Sequence, residues 1–159
     1  MHVLLFYKMC NQRGSMENFI WQESFSVGIE YFDNQHKKLF KIANELQEGI
    51  LKSQSKEVIK VVLHKLHDYM KTHFHDEEAF LKFYAFSDFD SHVQSHHEFE
   101  SQILKFENDI FEGKLFVPMK LMNFLENWLF DHILKDDKEF GRSLGEKEIR
   151  SDMFVKTAD

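Results

Sequence analysis

At 159 residues the chain has the size of one domain, and its formal net charge of −7 argues against nucleic acid or an anionic membrane as its main partner. Hydrophobic residues make up 43% and charged residues 30%, which suits a globular protein with a sizeable core. Phenylalanine is abundant at 18 residues while Gly stands at 6 and Pro at 1, and a chain with so few breakers predicts an all-α fold. The single Cys10 excludes an internal disulfide framework and a thiolate metal cluster, and it fits a reducing compartment. No apolar run approaches the roughly 18 residues of a membrane span. The N-terminal "VLLFY" is too short for a signal segment and no cleavage pattern follows it, so the chain reads as cytoplasmic.

Residues 1–15 show no period and are expected to form a poorly ordered extension. A domain is expected over 16–145, followed by a polar tail over 146–159. Within the domain, "WQESFSVGIEYF" (21–32) reads as an arm. The first helix is predicted over about 34–52, with His36, Leu39, Phe40, Ala43, Leu46 and Ile50 at helical spacing. After the polar "KSQS", a second helix is predicted over about 56–84, with Val62, Leu66, Tyr69, Met70 and Leu81 on one side. "AFSDFD" breaks it, and Ser87 or Asp88 is placed to cap the next helix. The third, over about 89–111, repeats Phe89, His92, Val93, His96, Phe99, Ile103, Phe106 and Ile110 at intervals of three and four. The fourth runs over about 117–139, with Pro118 in its first turn and Gly141 as its stop. Four amphipathic helices with short links predict an up-down-up-down bundle with an N-terminal arm.

The inward faces carry groups that a core should not contain, because an unpaired polar group out of water is costly. His92 and His96 lie about 40° apart around the helix axis and about 6 Å apart along it, in the middle of the apolar stripe. Two neutral imidazoles there need two buried partners, and a shared metal satisfies both at once. His73 and Glu77 repeat the spacing on the second helix, His36 faces inward on the first, and His132 does so on the fourth. One such histidine alone is ordinarily a satisfied core residue; the signal is the conjunction over four helices. His64, His67, His75 and His97 fall off the stripes and read as solvated. Imidazole and carboxylate without thiolate suit iron, manganese, copper or zinc. The set exceeds the ligands of one zinc, so two metals are expected. The chain has no Glu-x-x-His, which removes the ferritin-like di-iron pattern.

These residues resemble a known family, the hemerythrins in their bacterial form, from Trp21 to about Gly141. "VGIEYFDNQHKKLF" is similar to the family's first-helix segment, "HFHDEE" to its HF-x-x-EE segment, and His92-x-x-x-His96 to its third-helix pair. "WLFDHILKDD" is similar to its WL-x-x-HI-x-x-x-D segment. The resemblance implies two non-haem irons joined by an oxo or hydroxo bridge. It implies His92, His96 and His132 on one iron, His36 and His73 on the other, and Glu77 and Asp137 bridging. On two six-coordinate irons such a set leaves one position open, and in the family that position takes dioxygen. The resemblance places Leu39, Phe74, Trp128 and Leu129 beside it, a dry pocket without a positioned acid, which favours reversible binding over oxidase chemistry. Geometry alone disagrees at one site. Asp137 is five residues after His132, about 140° round an ideal helix, whereas Asp136 shares the face of His132. The family motif selects Asp137, which requires the helix to loosen there or the carboxylate to reach sideways. Phe80 and Leu81 stand where the family frequently has Met, and the next turn lacks the family's Gly-Tyr-Pro-like piece.

The expected role is therefore reversible dioxygen binding for storage, delivery or buffering, without enzymatic turnover. A rival is an oxygen- or redox-sensing interaction module with an unknown protein partner, and further rivals are a di-iron peroxidase or oxidase and a metal buffer.

Overall fold

The computed structural model describes residues 19–52 and 55–144; the extension expected over 1–15 and the tail expected over 146–159 lie outside them. A short 3-10 turn (Glu23–Phe25) is followed by α1 (Glu30–Leu51), α2 (Ser55–Phe83), α3 (Phe89–Phe111) and α4 (Val117–Trp128). The fourth rod then continues without a break through a π-helical segment (Leu129–Asp137) into α5 (Lys138–Leu144). α1 packs on α2 and α4, and α3 packs on the same two, so the helices close an antiparallel square.

The arm lies back along α1. Trp21 meets Phe40 edge-on at 5.4 Å, and the Phe19 backbone exchanges hydrogen bonds with the Asn44 side chain, 2.7 and 2.9 Å long. α1 begins at Glu30, earlier than the apolar period alone indicates, because Asp33 anchors the approach. Its carboxylate accepts from the Val27 amide at 2.8 Å and the Ser26 hydroxyl at 2.6 Å. Glu30 and Asp33 also place negative charge in the first turn, where the helix dipole favours it.

α2 and α3 end alike. The Phe86 amide reaches back to the Leu81 carbonyl at 3.0 Å, and the Lys114 amide to that of Asp109 at 2.9 Å. Each closure needs one left-handed residue, Ala85 (φ 51) in the first turn and Gly113 (φ 71) in the second. Asp88 stands at the N-cap of α3 but makes no side-chain capping bond, and Pro118 falls in the first turn of α4 as expected.

One boundary is corrected. Gly141 does not stop the fourth rod; it lies inside α5, where an added Cβ would land on the Val27 carbonyl oxygen. The glycine serves the close approach of the arm rather than helix termination.

The core is split in two. A large cluster contains Leu39, Leu46, Leu66, Phe74, Phe99, Leu125 and Ile133; a smaller one contains Val27, Ile29, Phe32, Phe80, Leu81 and Phe140. Between them, on every rod, sits a buried polar layer: His36, His73, Glu77, His92, His96, His132 and Asp137.

Candidate metal centre

The seven polar side chains reach the same place from four rods. One group brings Glu77, His92, His96 and His132 together with one ligand atom each, all within 4.8 Å of one another. A second brings His36, His73, Glu77 and Asp137 together in the same way. Glu77 belongs to both, and its Oε2 lies 3.0 Å from His92 Nε2 and 3.2 Å from His96 Nε2. Asp137 turns one oxygen each way, Oδ2 to His36 Nε2 at 3.1 Å and Oδ1 to His132 Nε2 at 3.1 Å.

The backbone sends Asp136 and Asp137 to different sides of the rod. Leu129–Asp137 is π-helical, and hydrogen bonding from i to i+5 brings residues five apart onto one side. Asp137 is therefore fully buried with His132. Asp136 lies behind that ring, its carboxylate 49% exposed and 3.6 Å from Nδ1.

Partners behind two of the imidazoles fix their tautomers. Gln35 donates from Nε2 to Asp76 Oδ2 at 2.9 Å, which turns its Oε1 toward His73 Nδ1 at 2.8 Å. Tyr31 donates to the same Asp76 oxygen at 2.7 Å. His73 thus carries its proton on Nδ1 and presents a bare Nε2 to the centre. Glu78 does the same for His96, accepting from Nδ1 at 2.9 Å. Rings brace the other side: Phe74 stacks on His96 at 3.9 Å and Trp128 on His132 at 4.1 Å. Leu39 and Leu129 are buried in the same cluster as Phe74.

The donor set fits a cation. His36 Nε2, His73 Nε2, Glu77 Oε1 and both Asp137 oxygens are buried without a hydrogen bond. Such atoms are rare in a native core and each requires an explanation. His96 Nε2 and His132 Nε2 face each other at 3.0 Å, where a proton or a cation must sit between them. Burial keeps the His73 imidazole well below its ordinary pKa and hence neutral, as a ligand must be. Burial raises Glu77, but the hydrogen-bonding rings of His132, His92 and His96 pull the other way, and the carboxylate is held ionised. Burial likewise pushes His132 down, while Asp137, Asp136 and Glu77 overcome it and lift the ring to about 10.

Of the histidines set aside, His64, His75 and His97 are exposed. His67 is 40% exposed and pairs with Glu107 at 2.7 Å, so it bridges α2 to α3 rather than standing free in solvent. One residue near the centre was not legible as more than core. Tyr69 sits with its ring 4.8 Å from that of His73, and its buried hydroxyl has no hydrogen-bond partner. Burial first, then the charges of Glu77 and Asp137, push its pKa well up. The pocket expected to be purely apolar therefore contains a phenol. The available signal was its position, one helical turn before His73 on the ligand face.

Residues 27–144 match the hemerythrin HHE cation binding domain. Similar proteins include a bacteriohemerythrin of Clostridium acetobutylicum, 31% identical over 77% of this chain and 98% of the relative. A bacteriohemerythrin of Pseudomonas aeruginosa is 31% identical over 77% of this chain and 78% of its own length. A myohemerythrin of Theromyzon tessulatum is 28% identical over 78% and 92%. The family match spans all four rods and contains every one of the seven converging side chains, and the chain belongs to the hemerythrin family.

Proposed function

We propose that the chain is a non-haem di-iron protein that binds dioxygen reversibly, to store, deliver or buffer it. One observation carries the reading: two groups of buried donor atoms, several of them without a hydrogen bond, share Glu77. His92, His96 and His132 would hold one iron and His36 and His73 the other, with Glu77 and Asp137 spanning both. Two ferrous irons, when bound, supply the electrons and the open position that reversible dioxygen binding requires. His36 and His73 are two imidazoles against three on the other side, so they would leave the room there.

The surrounding residues favour binding over turnover. Phe74 and Trp128 stack on the His96 and His132 rings, and Leu39 and Leu129 pack in the same apolar cluster, which would keep that side of the centre dry. Tyr69 keeps its proton, because burial and the two nearby carboxylates oppose ionisation. A phenol so held donates a hydrogen bond but does not feed protons to O–O cleavage. Glu78 and Gln35 hold the His96 and His73 rings in place without touching the centre.

The test is anaerobic loading with ferrous iron, followed by metal analysis and repeated cycles of air and argon. The reading requires two irons per chain and a visible band that appears in air and vanishes under argon. A band that persists under argon would move the function toward redox sensing or catalysis.

A further inference from the structure

An open cavity of about 310 Å³ lies between α1 and α2, with Gln35, Tyr69 and His73 at its inner end and Lys38, Lys41 and Lys65 toward the surface. We propose that this groove is the route by which small anionic or dioxygen-sized molecules reach the centre, and that the Tyr69 hydroxyl is the hydrogen-bond donor that holds them there. The proposal rests on the di-iron reading and adds to it an entrance and a binding residue.

The inner polar atoms other than Tyr69 are already engaged. Gln35 uses its oxygen on His73 and its nitrogen on Asp76. His73 uses Nδ1 on Gln35, and its Nε2 belongs to the metal position. The Tyr69 hydroxyl has no partner although the residue is only 5% exposed. A buried tyrosine ordinarily finds one, because an unmet hydroxyl is costly. Its ring lies beside His73, on the side with fewer protein ligands, where an incoming molecule has a place to bind. The mouth has the matching charge. Three lysines there face Glu45 and Asp68, a local excess of positive charge on a chain whose formal net charge is −7. Lys65 is paired with Glu45, which leaves Lys38 and Lys41 against Asp68.

Two variants of the iron-loaded full chain test this, with azide as the probe. Tyr69→Phe removes one oxygen and keeps the ring. It should retain two irons and bind azide about tenfold more weakly, the effect of one hydrogen bond to a charged group. Without ligand it should melt at or above the wild-type temperature, since an unmet buried hydroxyl is lost; a merely structural hydroxyl would lower the melt. Thr72→Trp, at the groove wall, should slow azide entry and release by the same factor and leave the equilibrium unchanged. Unaltered azide affinity in Tyr69→Phe with both irons present, or unaltered rates in Thr72→Trp, would overturn the proposal. A wild type that binds azide through Tyr69 yet oxidises irreversibly in air would overturn the oxygen-carrier reading alone.

Discussion

Asp136 and Asp137 are chemically identical neighbours with opposite fates. Asp137 has no exposed surface and points an oxygen at each histidine group, whereas Asp136 supports His132 from outside. Asp137→Asn should cost the chain at least one of two irons, because the shared ligand loses its charge. Asp136→Asn should keep both and weaken binding by about 10–100-fold, the usual effect of an outer partner. Equilibrium dialysis with metal analysis reads both, and equal losses would contradict the assignment. A second residue-scale prediction concerns the surface end of the Gln35 chain. Burial, then the hydrogen bond and charge of Asp76, push the Tyr31 phenol up to about 12, against a smaller opposing pull from Gln35. The neutral form is the one the fold favours, so this contribution to stability is complete below about pH 10 and is lost as pH rises through about 12. Ultraviolet titration of wild type against Tyr31→Phe should give that midpoint, and Asp76→Asn should bring it back toward 10.

At the scale of elements, most of the bundle is legible in the sequence because each helix writes its buried face at three- and four-residue intervals. The third helix was predicted to the residue for this reason. The fourth was not, and the cause is specific. Periodicity assumes one geometry along the whole rod, whereas Leu129–Asp137 changes its hydrogen-bond register. The motif resemblance selected Asp137, and the requirement that the helix loosen there was the only sequence trace of the π segment. Gly141 misled for a related reason, since a glycine needed for close approach looks in sequence like one that ends a helix. Two substitutions follow from these turns and crossings. Ala85→Gly relieves a left-handed non-glycine residue and should raise stability by about 0.5–1 kcal/mol. Gly141→Ala should lower it, by forcing the arm off α5. Urea midpoints decide both, and a destabilised Ala85→Gly would refute the turn assignment.

Across the whole molecule, a polar layer divides two apolar clusters, and each part depends on the others. The layer was legible as a set of inward histidines, but its sharing by Glu77 and Asp137 came only from the motif resemblance, because spacing on one helix says nothing about distance across the bundle. Tyr69 was hidden by the same limit: its ring fills core beside His73 while its hydroxyl finds no hydrogen-bond partner. No described helix is long and apolar enough to cross a membrane. Buried nitrogen and oxygen atoms without hydrogen bonds make this layer costly when nothing is bound. Free metal at a hundredfold above its Kd should add about 2.7 kcal/mol, or roughly 5–10 °C in melting temperature for a domain of this size. Calorimetry before and after chelation measures it, and an unchanged melt would mean that the layer holds no metal.

The most direct measurement is anomalous diffraction at the iron edge from crystals of the anaerobically loaded chain. Two iron peaks are expected, one among His92, His96 and His132 and one between His36 and His73, with Glu77 and Asp137 reaching both. A single peak, or two peaks with Asp137 turned away, would contradict this assignment.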